Sequence, residues 1–282
     1  MKFTLKTLFL TTLLTFGCLL ASSIDTFAGI VQTWEESYNA NSGGTLYIES
    51  DIGSIYIETN TANKVEIEIA AKLDTRSERK TEEILENLKL EFEQDGDDVS
   101  IFAEFKNRNI WSLWGSRGSS LGLEFHISVP EEYNLDLFTA GGSIDVNNLT
   151  GEARVETSGG SLRFREIKGL IEGKTSGGSI RLESCVGDVD VKTSGGSITA
   201  RIEGQPEDDC RLSTSGGGVT VYLSRNINVD IDASTSAGHV ETDFPVTIRG
   251  KVRKSSLKGQ INEGGPELYL RTSAGNINIL EI

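Results

Sequence analysis

Thr139-Ala-Gly-Gly-Ser-Ile, Thr157-Ser-Gly-Gly-Ser-Leu, Thr175-Ser-Gly-Gly-Ser-Ile and Thr193-Ser-Gly-Gly-Ser-Ile begin every 18 residues, and variants of the same phrase begin at Thr214, Thr235 and Thr272. The steps to Thr214 and Thr235 lengthen to 21 residues. A period near 20 residues marks a solenoid. One unit cannot bury its apolar face alone, so neighbours must stack to make a continuous core.

Each unit holds two short strands. In Ser143-Ile-Asp-Val the apolar positions are Ile144 and Val146; after a bend at Leu149-Thr-Gly151 a second strand buries Ala153 and Val155. Overlaying the units gives one column of Ile144, Leu162, Ile180, Ile198, Val219 and Val240, and another of Val146, Phe164, Leu182, Ala200 and Val221. Such columns are what a parallel, in-register stack requires, each coil rising about 4.8 Å. Polar positions align too: Arg154, Glu172, Asp190, Arg211 and Asp232 form one column, and Arg165, Glu183 and Arg201 another. Opposite charges side by side contribute a few tenths of a kcal/mol each. That structural job weakens any catalytic reading of them.

Strand patterns already occur upstream, in Thr45-Leu-Tyr-Ile-Glu, Gly53-Ser-Ile-Tyr-Ile-Glu and Lys64-Val-Glu-Ile-Glu-Ile. Ser50-Asp-Ile-Gly-Ser-Ile echoes the later corners, so the solenoid starts near residue 42 and is then interrupted. The interruption opens with an amphipathic helix over Thr75 to Asn87, with Ile84, Leu85 and Leu88 on one side. A hairpin follows, Lys89-Leu-Glu-Phe-Glu and Val99-Ser-Ile-Phe-Ala-Glu-Phe joined by Gln94-Asp-Gly-Asp-Asp, and then a strand from Leu123 to Val129. The expected architecture is all-β: a parallel β-solenoid with two short strands per 18–21-residue coil over residues 139–282, behind an N-terminal α+β cap over 29–138. The coil at Asn276 to Ile282 shows no cap of its own, and its edge is expected to pair with another chain.

Lys2 and Lys6, an apolar run from Leu8 to Ala21, and small residues around Ser23 and Ala28 read as a secretory signal peptide over residues 1–28, cleaved after Ala28 or Ser23. Cys18 raises lipid attachment, but Thr15 stands where a lipobox wants Leu, and the plain signal peptide is favoured. No other stretch has the roughly 20 apolar residues needed to span a bilayer. Cleavage moves the net charge from -15 to -16, which argues against nucleic acid as a partner, because phosphate binding rests on Lys and Arg clusters.

The paired glycines fit neither a P-loop nor a dinucleotide fingerprint, and one turn per coil reads as a corner in which Thr or Ser hydroxyls bond to stacked backbone. The calcium β-roll repeat is also missed: Gly141-Gly-Ser-Ile-Asp-Val lacks the third Gly, and Arg163, Arg181 and Thr199 replace the Asp in later units. His126 and His239 are the two histidines, with no Gly-x-Ser-x-Gly and no metal-ligand spacing. They read as structural or solvent-exposed, and no metal or cofactor is implied. Cys185 and Cys210 are either a disulfide pair or two small buried hydrophobes, the second being favoured. Lys106 to Gly122 holds Trp111 and Trp114 and a charge of +3 from Lys106, Arg108 and Arg117 in an acidic chain. Trp and Arg are enriched at binding hot spots, so Trp111, Trp114, Arg108 and Arg117 are the candidate binding residues; the alternative is a loop packing its Trp on the cap.

Residues 42–282 resemble the bacterial putative-adhesin family, exported β-strand-repeat proteins whose domain has no assigned function. The resemblance rests on the exported start, Gly53-Ser-Ile-Tyr-Ile, the helix followed by Leu90-Glu-Phe-Glu-Gln-Asp-Gly-Asp and Val99-Ser-Ile, the strand into Val129-Pro-Glu-Glu-Tyr-Asn-Leu-Asp-Leu, and the Gly-Ser-Ile repeats. Family members often carry Asn-Gly-Asp at the corner where this chain has Gly-Gly-Ser. The resemblance implies no catalytic residues. The leading functional expectation is a non-enzymatic exported β-solenoid that presents a surface for protein or glycan contact at the bacterial envelope. The alternatives are a polysaccharide-acting β-helix enzyme, for which Asp188, Asp190 and Asp230 would be the acids, and a periplasmic partner of an envelope-stress signalling system.

Overall fold

The structure is a computed structural model that describes residues 30–73, 78–106, 121–248 and 253–282. The expected signal peptide, Cys18, and the four candidates Arg108, Trp111, Trp114 and Arg117 lie outside the described residues.

The first part runs β1 (Ile30–Asn39), β2 (Thr45–Ser50), β3 (Ser54–Asn60), β4 (Lys64–Leu73), α1 (Glu78–Asn87), β5 (Leu88–Asp95), β6 (Asp98–Phe105) and β7 (Leu121–Pro130). The central coils are β8 (Asn134–Thr139) with β9 (Ile144–Asn147), β10 (Ala153–Thr157) with β11 (Leu162–Lys168), β12 (Ile171–Thr175) with β13 (Ile180–Val186), β14 (Val189–Thr193) with β15 (Ile198–Ile202), and β16 (Cys210–Thr214) with β17 (Val219–Leu223). The last part runs β18 (Val229–Thr235), β19 (Val240–Thr242), β20 (Val246–Ile248), β21 (Ser256–Ile261), β22 (Glu267–Thr272) and β23 (Ile277–Glu281).

Each coil gives one strand to each of two facing sheets, so odd-numbered strands from β9 to β17 stack in one sheet and even-numbered strands from β8 to β16 in the other. The alternation of side chains then buries one residue in two from each wall. In β10 these are Ala153, Val155 and Thr157, and in β11 Leu162 and Phe164. The expected columns are present in register, Ile144 beside Leu162 beside Ile180 beside Ile198 beside Val219. The core lies between the sheets as one apolar cluster.

Stacking is continuous through residue 139. The β2/β3 coil pairs in parallel with β8 and β9, and the β6/β7 coil stacks on its other side. Beyond β7 the antiparallel strands β4 and β1 extend one sheet, while β5 extends the other as the hairpin partner of β6. The helix is ten residues long over the described part, with Ile84 and Leu88 buried.

At the far end, spatial order departs from chain order. The β22/β23 coil lies between β16/β17 and β18/β19: β22 pairs with β16 and β18, and β23 with β17 and β19. The coil at Asn276 to Ile282 is therefore not an open edge, which removes the ground for self-association through it as an unpaired edge. Val219 and Val240 are both neighbours of Ile277 rather than of each other, and Tyr269 separates Arg211 from Asp232. The antiparallel strands β21 and β20 finish one sheet, and the three-residue β19 finishes the other. Short terminal strands leave little edge for unwanted pairing.

The repeated phrase is a corner, held by its threonine. Thr175 Oγ1 donates to Gly160 O of the preceding coil at 2.7 Å and accepts from Gly178 N of its own coil at 3.3 Å. Thr157, Thr193, Thr214 and Thr272 repeat both bonds. The corner serines make a second ladder, in which Ser161 N donates to Ser143 Oγ, Ser179 N to Ser161 Oγ and Ser197 N to Ser179 Oγ.

Candidate functional site

Strand alternation turns most charged side chains outward, onto the lateral faces of the two sheets, while the corner threonines point inward. On the face of the β8–β16 sheet, Arg154 lies 2.8 Å from Glu152 and 3.0 Å from Glu172, and Lys174 lies 2.7 Å from Glu156. On the other, Arg165 meets Asp145 at 2.7 Å. Arg165 and Glu183 are neighbours as expected; the register shifts between Leu182 and Cys185, so Arg201 faces the two residues Glu183 and Ser184, and its ion pair is with Glu203 at 2.7 Å.

Two of the three acids named for an enzyme, Asp188 and Asp230, are engaged by the scaffold. Asp188 Oδ1 accepts the backbone N–H of Glu207 and of Asp208, fixing the insertion that lengthens this coil. Asp230 Oδ1 accepts from Gln260 Nε2 at 3.0 Å. Asp190 and Asp230 stand on strands three steps apart, about 14 Å at ordinary strand spacing, beyond the ~5–9.5 Å that glycoside hydrolysis uses.

The histidines lie far apart in the fold. His126 is half-exposed on β7, its ring stacked on Tyr56 at 4.8 Å with Glu124 3.6 Å away. His239 sits at a corner, 3.4 Å from Glu241. Cys185 and Cys210 are free and buried, one in each sheet. Burial pushes their thiols up to about 12 and about 11. No group of three or more His, Cys, Asp or Glu able to hold a metal occurs among the described residues.

Shallow grooves lie on both lateral faces of the described residues. One, about 790 Å³, lies on the outer face of β1, β4, β7 and β3. Glu35, Glu36, Glu58, Glu66 and Glu68 line it around the Tyr56–His126 stack. Another, about 660 Å³, lies on the opposite sheet across β2, β8, β10, β12 and β14. There Tyr47 and Phe138 meet the charged ladder of Glu49, Arg154, Glu156 and Lys174. Phe102 continues the aromatic surface from β6, its ring centroid 5.6 Å from that of Tyr47. Glu49 is the direct neighbour of both Phe102 and Phe138. The Tyr47 hydroxyl donates to Glu49 Oε2 at 2.8 Å, and that bond, with burial, pushes the phenol up to about 12.

The sequence reading did not single out this aromatic patch. The one available signal is alternation: Tyr47, Phe102 and Phe138 each occupy the position in their strand that it turns away from the core.

Parallel coils and threonine-bonded corners define a β-solenoid with two charged lateral faces. Residues 131–280, more than half of the chain, match the Toastrack DUF4097 family, and the protein belongs to it. Among solved structures, a putative cell adhesion protein from Clostridium sporogenes is similar at 14% identity and TM-score 0.38, over 89% of this chain and 100% of that one. A putative adhesin from Bacteroides fragilis is similar at 10% identity and TM-score 0.37, over 89% and 98%. A putative lipid-binding protein from Parabacteroides distasonis is similar at 12% identity and TM-score 0.31, over 89% and 97%. A comparison with curated proteins finds no match. No helix among the described residues is long and apolar enough to cross a membrane.

Proposed function

We propose that this protein is a non-enzymatic, exported, adhesin-like β-solenoid that presents a lateral surface for protein or glycan contact at the bacterial envelope. The observation that carries the reading is the groove where Tyr47 and Phe138 flank Glu49 beside Arg154 and Lys174. Aromatic faces supply contact area at little conformational cost, and the paired charges around them supply donors and acceptors that fix orientation. The residues Arg108, Trp111, Trp114 and Arg117 are a second proposed contact set, supported by their composition in an acidic chain.

Glycan arrays and pull-downs from envelope fractions test this with Tyr47→Ala/Phe138→Ala and with Trp111→Ala/Trp114→Ala. Each double variant is expected to keep the native circular dichroism and melting transition, and at least one to lose binding tenfold or more. Binding retained by both variants overturns the assignment of these surfaces. Turnover of a polysaccharide by the wild type overturns the non-enzymatic reading. Cell fractionation of the full-length chain tests export, with a processed protein expected outside the cytoplasm.

A further inference from the structure

The β22/β23 coil fills a slot that the preceding chain leaves open. After β17 the chain skips one coil height, about 4.8 Å, builds β18 and β19 beyond the gap, turns back through β20 and β21, and only then enters the gap. Both walls of the slot are parallel strand edges in both sheets. Its interior is apolar: Leu268, Leu270, Ile277 and Ile279 of the inserted coil are at most 2% exposed. Its corner obeys the rule of every other corner. Thr272 Oγ1 donates to Gly217 O at 2.6 Å, and Thr235 Oγ1 donates to Gly275 O at 2.7 Å.

These contacts involve only the inserted coil and the slot. The connection is the turn between β21 and β22, where Asn262 and Gly264 adopt φ of 51° and 75°. Asn262 Nδ2 donates to Ile227 O at 2.7 Å, anchoring the turn across the base of β18. The chain must cross β18 here, because β21 and β22 flank that strand. Five residues in extended form reach about 17 Å, enough to cross to the slot of an adjoining molecule as well as to its own.

We propose that the slot between the β16/β17 coil and the β18/β19 coil accepts the β22/β23 coil of a second copy of this chain, giving a reciprocally exchanged dimer. The exchanged and closed forms share every contact of the coil and differ in the turn alone, which is the condition under which exchange of an identical element has a low thermodynamic cost. Four buried aliphatic side chains and two sheet ladders keep the coil in place once docked, so exchange belongs to refolding, when the slot is open. Chain concentration then decides between the molecule's own coil and its neighbour's.

The pair Thr220 and Asn278 tests this, since they are direct neighbours across β17 and β23 and neither is buried. A full-length Cys18→Ser/Thr220→Cys/Asn278→Cys chain is unfolded, refolded at low and at high protein concentration, separated by size, and linked with a short bis-maleimide. The buried Cys185 and Cys210 stay unlinked in the folded protein. Refolding at high concentration is expected to give a dimer fraction that runs at twice the chain mass on a denaturing gel after linking, while the monomer fraction links within the chain. A dimer whose link stays within one chain, or no dimer at high concentration, overturns the proposal.

Discussion

Gly160 sits so close above Gly142 that a β-carbon at Gly160 would stand 1.9 Å from the Gly142 carbonyl oxygen. Its neighbour Gly159 has nothing within 4 Å of the same construction. At this corner the two glycines of the phrase are therefore not equivalent: the second is required by the approach of stacked backbones, and the first is free, whereas the first glycine tightens along the stack, to 3.1 Å at Gly177, 3.0 Å at Gly195 and 2.8 Å at Gly216. The last two corners follow the same rule, because Ala237 and Ala274 replace the first glycine while Gly238 and Gly275 keep the second. Gly160→Ala is expected to cost about 3 kcal/mol, since overlap with backbone cannot be relieved by a rotamer change. Gly159→Ala is expected to stay within about 0.5 kcal/mol of wild type. Urea unfolding of the two variants checks this, and equal midpoints would refute the asymmetry.

The corner threonines carry the second prediction. Thr175→Val keeps the shape of the buried side chain but leaves Gly160 O and Gly178 N without the hydroxyl that serves both. An unsatisfied buried backbone group costs about 1–3 kcal/mol. Thr175→Ser retains the hydroxyl and is expected to recover more than half of the loss. Amide exchange should accelerate first at Gly178. A valine variant as stable as the serine one would show that the ladder contributes nothing beyond packing.

The coils were legible in the sequence because inward positions repeat in register, and Ile144 through Val219 stack as the overlay of units requires. Coil order at the far end was not. Val219, Ile277 and Val240 are interchangeable as neighbours, and Thr214, Thr235 and Thr272 open equivalent corners, so periodicity is satisfied by either order. What decides is the excursion through β20 and β21, whose antiparallel return carries no repeat. The bulge that sets Glu183 and Ser184 against the single residue Arg201 was not legible either, and Arg201 takes Glu203 as its ion-pair partner. The Tyr47, Phe102 and Phe138 surface was hidden because aromatic residues are ordinary strand formers. Only the pairing of β2 with both β6 and β8 brings the three together.

Cys185 and Cys210 supply a prediction about reactivity. Burial raises both thiols, to about 12 and about 11, so the thiolate is scarce at pH 8 and screened from reagents. With Cys18 replaced by serine, the folded protein is expected to show less than a tenth of its thiol titre toward a small aromatic disulfide, and the full titre of two in denaturant. Fast reaction of either thiol in the native state would mean that its coil opens locally, and a titre of zero after denaturation would reveal a bond between them.

Asp232 ties the inserted coil to its neighbours and sets an acid limit on that end of the stack. On β18 it is 6% exposed, bonded by Lys258 of β21 and 2.7 Å from Arg271 Nη2 of β22, while Arg271 also lies 3.7 Å over the Tyr269 ring. Burial alone would raise its carboxyl, but the bonds to Lys258 and Arg271 outweigh it and hold the group below the ordinary carboxylate range. A folded value below the unfolded one, near ~3.9, means that the contribution is complete above the unfolded value and is lost as pH falls through the folded one. Asp232→Asn is expected to cost about 1–3 kcal/mol at pH 7, less than a fully buried pair because Lys258 remains largely exposed. The gap between variant and wild type should stay constant from pH 7 to about 5 and close below about 4. Urea midpoints across that range measure it, with amide exchange expected to quicken in β22 ahead of β14. A gap as wide at pH 3 as at pH 7 would show that the asparagine acts through packing rather than through the lost charge.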